Sequence, residues 1–306
     1  MTISQFSNAQ DYFNNYIKDW EKVYAFELEG LPKSALTEVE KIYVKSKEEN
    51  NTPQLIKTLI YKSKLALTLE EDAQLKIIKG IKAEIAQSSY PARNILESVL
   101  ADVYWQYFKQ NRWKFYNRTK TNEKVDATDF RTWDLQTVFE ETHTHFQNSL
   151  SNSLELQQVD LNAYNDILNL QTDSKDYRPT LYDFIAHRAI DFYRNDEQNL
   201  TRPSYKFEID NTDFLGTNKQ FISADINSKD SLSQQLHALK LYKNLTLFHL
   251  RDSNPTALID VTLDRLNFIK SKAVFENKDS LHLQSLQQLK ETHKIHKAST
   301  EIDYEI

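Results

Sequence analysis

The sequence predicts an all-α protein, built as antiparallel helix pairs in a tetratricopeptide-like superhelix or array, with a short irregular or β excursion near residues 201–230. Three observations carry this expectation. Apolar residues recur at three- and four-residue spacing along most of the chain, the period at which side chains share one face of an α-helix. Only three glycines, Gly30, Gly80 and Gly216, occur in 306 residues, too few for the positive-φ turns of a hairpin-rich β protein. Prolines stand at the starts of the periodic runs, where a missing N–H costs nothing.

Taken in order, Leu31 to about Gln110 reads as two helix pairs, about 33–49 with 53–69 and about 71–88 with 91–110. Each pair has roughly the 34-residue length of a tetratricopeptide unit, although the consensus residues of that repeat are not evident. Thr52 is placed to cap a helix whose first position is Pro53, and Pro91 opens the next. There Ile95/Leu96, Val99/Leu100, Val103/Tyr104 and Tyr107/Phe108 recur every four residues, a broad buried stripe. Residues 117–131 are polar and predict a loop before a helix near Trp133–Leu150. Pro179 opens a helix carrying Leu181, Phe184, Ile185, Ala189 and Phe192. From Leu200 to Asp230 the helical period lapses, and Tyr205, Phe207 and Ile209 alternate with polar residues as in one short strand or an extended segment. Helical spacing returns at Leu232, Leu236 and Leu239, then at Leu263, Leu266 and Ile269, then at Leu286 and Leu289, with breaks at Pro255 and at 277–280. The organisation expected is a helical-pair array over 1–200, an irregular insert over 201–230 and a helical continuation over 231–306. The closing residues STEIDYEI read as the opening turns of a helix cut off at Ile306, so a longer natural chain is expected.

Composition excludes several function classes. The glycines lie too far apart for two to share a phosphate-binding loop. Zero cysteines exclude disulfides, thiolate catalysis and Cys-based zinc sites. A formal charge of −6 gives no general attraction to nucleic acid or to an anionic membrane. Residues 1–20 lack the basic and apolar regions of a signal peptide, and nothing approaches the roughly 18 apolar residues of a membrane-spanning helix.

Four clusters hold chemistry-bearing side chains. In Glu140-Glu141-Thr142-His143-Thr144-His145 the two histidines point about 200° apart on a helix; Glu141 and His145 have i, i+4 spacing but no third metal ligand, so an exposed helix face is expected. His293 and His296 have i, i+3 spacing with Glu291 nearby, but Lys290, Lys294 and Lys297 disfavour a cation. Asp183, His187 and Asp191 are four apart on one helix, where a carboxylate beside an imidazole orients it for acid–base work. With no serine nucleophile in a strand-turn-helix setting, they read as a hydrogen-bonded polar edge, with a cofactor-free hydrolase as the remote alternative. The tract Tyr104–Lys120 interleaves aromatic and basic residues; its first half continues the buried stripe and packing between helices is expected of it, with Trp105, Arg112, Trp113, Tyr116 and Arg118 as the candidate surface for contact with a protein or a glycan. No motif calls for a cofactor or a metal, and no nucleic-acid partner is expected.

The segments LPKSALTEVEKIYVKSKEENNTPQLIKTLIYK, VYWQYFKQNRWKFYNRT, FRTWDL and RPTLYDFIAHRAIDFY, followed by DSLSQQLHALKLYKNL and AVFENKDSLHLQSLQQL, resemble in order and spacing the N-terminal helical region of large bacterial alpha-2-macroglobulin family proteins. The resemblance runs from about Tyr12 to Ile306 and rests on aromatic-rich stretches, none of them a catalytic motif. It implies an exported protein of the cell envelope or periplasm, in a protease-inhibitor family, whose helical region precedes a series of β-sandwich macroglobulin-like domains. The chain departs from that pattern in having no cysteine for a thioester, no succession of alternating strands and no visible signal peptide. The expected function is a non-enzymatic scaffold or protein-interaction module, with a free-standing helical-repeat adaptor as the alternative.

Overall fold

Gly30 and Asn50 set the first two turns of the chain. In the computed structural model, which describes residues 4–118, 126–195 and 205–306 and side chains from Tyr16 onward, both adopt positive φ, at 70° and 51°. After each, a backbone N–H reaches five residues back, Leu31 to Phe26 O at 2.8 Å and Asn51 to Ser46 O at 2.8 Å, the hydrogen bond that closes a helix C-terminus when the residue before it turns left-handed. The helices so separated are α1 (Ser4–Leu28), α2 (Pro32–Glu48) and α3 (Thr52–Leu69). Tyr16, Trp20 and Val23 of α1 face Ala35, Val39 and Ile42 of α2, with Leu65 of α3 completing one apolar cluster. The i, i+4, i+7 spacing in both helices builds this seam. The i, i+4, i+7 spacing of Tyr16, Trp20 and Val23 is the sequence signal for α1, which precedes the helix pairs expected from Leu31 onward.

The next helices are α4 (Ala73–Gln87), α5 (Ala92–Gln110), the short α6 (Arg112–Tyr116) and α7 (Leu135–Ser149), with a 3-10 turn at Phe130–Thr132. Each of α1 to α5 packs on the next, and α5 packs most extensively on α7. The predicted cap at Thr52 is corrected: Thr52 is the first helical residue, Asn51 precedes it, and the Asn51 side chain accepts a hydrogen bond from the Gln54 N–H at 3.2 Å. Pro91 likewise stands one position before its helix rather than in it.

Backbone contacts group residues 1–151 and 162–169 into one compact unit and 152–161 and 170–306 into a second. The helix opened by the Arg178 segment therefore packs within the second unit, although the sequence grouped it with the first 200 residues. After α8 (Ser153–Leu156), a 3-10 turn at Leu161–Tyr164 and α9 (Ser174–Tyr177) come α10 (Leu181–Tyr193), α11 (Asn218–Ser223), α12 (Gln234–His249), α13 (Thr256–Lys272), α14 (Lys278–His293) and α15 (Ser299–Glu305). Both α10 and α13 pack on α12.

The excursion expected near 201–230 holds no strand among the described residues; residues 201–204 lie outside them. Tyr205 to Asp210 are irregular, Thr212–Leu215 is a 3-10 turn capped by Asn211, and α11 opens with a capping box between Thr217 and Gln220. A Cβ on Gly216 would fall 2.8 Å from the Gln220 amide oxygen, so glycine lets that box close. The segment lies within the core: Ile209, Phe214, Leu215 and Phe221 are all buried. Its anchor is Arg265 of α13, fully buried, whose guanidinium donates to the carbonyls of Phe214 and Gly216 and lies 4.4 Å over the Phe221 ring. Sequence periodicity cannot show this, because carbonyls and one cation replace the ladder a strand would need.

Candidate functional site

The aromatic tract divides into two parts. Trp105, expected at the contact surface, is corrected to the core: it stacks on Phe108 at 5.2 Å and meets Phe139 of α7 edge-on at 5.5 Å. Tyr107 meets Phe130 at 4.6 Å and Tyr104 meets Trp133 at 5.6 Å, so the buried stripe of α5 and its partners is a continuous aromatic layer. Past Asn111 the chain turns into α6, where Phe115 is buried while Trp113 is 65% and Tyr116 47% exposed. Arg112 is exposed beside them. Arg118 is engaged inward, donating to the Trp133 carbonyl at 2.6 Å and lying 4.9 Å over Phe115. Lys120 lies outside the described residues.

His145 is not on an exposed face, which corrects the expectation for the Glu140–His145 cluster. Its Nδ1 lies 2.5 Å from the buried Glu97 carboxylate of α5, and its Nε2 3.4 Å from Glu141. Burial opposes protonation, but hydrogen bonds and charge from Glu141 and Glu97 prevail and hold the imidazole above its ordinary value. The pairing fastens α7 to α5. Among the described residues no group of three or more His, Asp and Glu side chains could hold a metal ion, at this cluster or at His293 and His296.

The Asp183–His187–Asp191 series is the part of the sequence reading that the structure rearranges most. Asp183 does not pair with His187 through its carboxylate. One carboxylate oxygen closes the capping box of α10, accepting from the Thr180 N–H at 3.0 Å and its hydroxyl at 2.7 Å. The other meets His249 Nε2 at 2.6 Å, and His249 Nδ1 meets Asp252 at 2.7 Å. Asp183 and His249 are both buried. Dehydration disfavours the imidazolium, yet the two carboxylates outweigh it and raise the His249 pKa. Asp183 is four residues from His187 in sequence and 66 from His249, so only the fold reveals its partner.

His187 contacts the Asp183 carbonyl instead, through Nδ1 at 2.9 Å. A carbonyl only accepts, so Nδ1 carries the proton of the neutral ring and Nε2 holds a bare lone pair. Burial, aided by the charge of Arg178, lowers the His187 pKa to about 4. Its Nε2 is shielded from solvent and has no hydrogen-bond partner.

His187 lines a cleft of about 740 Å³ within the second unit. One wall is the polar face of α10, with Phe184, His187, Arg188, Asp191 and Arg194 at three- and four-residue spacing. Asp260, Leu263, Asp264 and Asn267 of α13 form the second wall, and Glu301, Tyr304 and Glu305 of α15 the third. Arg178 is ion-paired to Asp260 and Arg194 to Asp264, which also accepts from the Tyr242 hydroxyl at 2.8 Å; Glu301 accepts from Tyr177. Burial first, then the Asp264 charge, pushes Asp191 above the usual carboxylate range against the pull of the arginines. Asp191 is exposed to water, so the Asp264 charge is the more durable cause. Burial likewise raises Asp260, with Arg178 opposing and Asp264 and Glu301 adding to it. The sequence singled out this helix but not its cleft, because two of the three walls lie more than 60 residues downstream.

Among the described residues no helix is long and apolar enough to cross a membrane. No protein-family model, curated protein or solved structure matches this chain.

Proposed function

We propose that the chain is a non-catalytic helical interaction module, tetratricopeptide-like in plan, forming the N-terminal part of an alpha-2-macroglobulin-like protein of the cell envelope. Its partners are proteins, the macroglobulin-like domains that follow such a region among them. The observation that carries the docking role is α6, where Trp113 is 65% and Tyr116 47% exposed beside an exposed Arg112. Trp, Tyr and Arg are the residues on which interface energy concentrates, and Phe115, buried beneath them, fixes the helix that presents them. The non-catalytic reading is supported by what the acid–base candidates do. Asp183 caps a helix and holds His249, Glu97 holds His145 across two helices, and His187 is too weak a base for neutral pH. The envelope assignment rests on the ordered sequence resemblance alone.

The test is a photo-crosslinking residue placed at Trp113 of the naturally encoded protein in living cells, with a control probe at the exposed Lys64. The expected result is a discrete crosslink to an envelope protein or to macroglobulin-like domains from Trp113 and not from Lys64. Identical patterns from both probes would remove the docking surface. Crosslinks only to cytoplasmic proteins would leave a free-standing adaptor and end the envelope assignment.

A further inference from the structure

We infer that the cleft walled by α10, α13 and α15 binds an organic cation, a primary ammonium or guanidinium group on an alkyl stem. It lies in the second unit and is independent of the α6 surface.

Four observations converge on that chemistry. The cleft, at about 740 Å³, is of the size that holds small ligands or a side chain with its flanking backbone. Its lining sets five carboxylates, Asp191, Asp260, Asp264, Glu301 and Glu305, against three arginines. Arg178 is ion-paired to Asp260 and Arg194 to Asp264, and five carboxylates against three arginines leave the lining with a negative excess. Among the described residues lining the cleft, His187 Nε2 is a shielded acceptor with no hydrogen-bond partner, proton-free because Nδ1 donates to the Asp183 carbonyl, and a hydrogen-bond donor suits it. Leu263 offers apolar surface to a stem, and Tyr304, 90% exposed, offers a ring face to the cation. A metal ion is the weaker fit, since these carboxylates do not converge as a group of three that could hold one.

Two sources supply this chemistry: a lysine or arginine side chain of a partner protein, and a free polyamine. Calorimetric titration of the full chain with spermidine, with the blocked peptide Gly-Gly-Lys-Gly-Gly and with inorganic phosphate separates them. At least one amine is expected to bind with one-to-one stoichiometry. The double variant Asp191→Asn/Glu305→Gln, changed at two exposed carboxylates, is expected to lower that affinity at least tenfold with unchanged circular dichroism. Removing a repulsive charge by Arg188→Gln is expected to tighten amine binding several-fold. Spermidine binding alone assigns the free amine, and peptide binding alone assigns a protein side chain. The proposal is overturned if neither amine binds at millimolar concentration, if the double variant binds as tightly as the parent, if Arg188→Gln weakens amine binding, or if phosphate binds and loses affinity in that variant.

Discussion

The α5–α7 pair of the first unit is closed by rings, whereas in the second unit buried charge is added to the apolar packing of α10, α12 and α13. Between α5 and α7, Trp105, Phe108 and Phe139 pack within 5.2 to 5.5 Å of one another, and an ionic fastening, Glu97 to His145, sits beside that layer. In the second unit the Asp183–His249–Asp252 series joins the start of α10 to the end of α12, and Arg265 ties α13 to the irregular segment before α11. Ring packing is forgiving, since a similar apolar volume repacks at modest cost. Buried charge is exacting, since losing one partner leaves the other dehydrated and unpaired.

That contrast is sharpened most by a pair of truncations. Arg265→Ala and Trp105→Ala are each expected to cost roughly 3–5 kcal/mol in urea denaturation. Their conservative versions separate the units: Trp105→Phe costs about 1 kcal/mol because a ring remains, while Arg265→Met costs roughly 3 kcal/mol because the carbonyls of Phe214 and Gly216 lose their donor. Equal costs for the two conservative variants would show that the contrast is wrong.

A smaller effect, about 2 kcal/mol, is expected from Asp183→Asn, which preserves a capping oxygen but removes one of the two charges on His249. The sign of its pH dependence follows from the raised His249 pKa. The parent's advantage is fully present below the ordinary histidine value and fades as pH rises through the folded-state value. Denaturation midpoints of both proteins across pH 5 to 9, roughly two units either side of neutrality, should therefore converge toward alkaline pH. A constant gap would mean that His249 carries no charge in the folded protein.

His187 acts in the opposite sense. Its pKa is lowered from 6.5 to about 4, so the neutral folded form holds its stability above 6.5 and loses it as pH falls toward 4. His187→Phe should abolish that acid-side loss, as read by thermal unfolding at stepped pH; an unchanged acid limb would place the loss in other groups. The smallest effect is expected from Trp113→Ala, within about 0.5 kcal/mol of the parent. A large loss there would mean that the exposed ring is structural and not kept for a partner.

The legibility of the fold follows the same division. In the α5 stripe, apolar residues every four positions announce both the helix and its buried face, because one element's own period is enough. The path from 205 to 230 was not legible in that way. Phe207, Ile209, Phe214 and Phe221 follow no single period; the Phe207 N–H donates to Asp230, the Ile209 carbonyl accepts from Val274, and Phe214 and Phe221 are held by a cation about 50 residues further on. The candidate site was half legible: RPTLYDFIAHRAIDFYRN supplies one wall of the cleft, and its i, i+4 spacing suggested an Asp183–His187 pair. Tertiary contact redirected the pair, giving the carboxylate to His249 and only the carbonyl to His187.

By itself, the sequence determined the helical class and most helix positions, since these depend on spacing, caps and scarce glycine within one stretch of chain. Only the tertiary structure decided which of two histidines near Asp183 holds its proton more tightly and which gives it up more readily, that Trp105 is core while Trp113 is surface, and that three polar helix faces enclose one cleft. Protonation and exposure depend on the groups that distant segments bring within a few ångströms, and that proximity is a property of the folded chain alone.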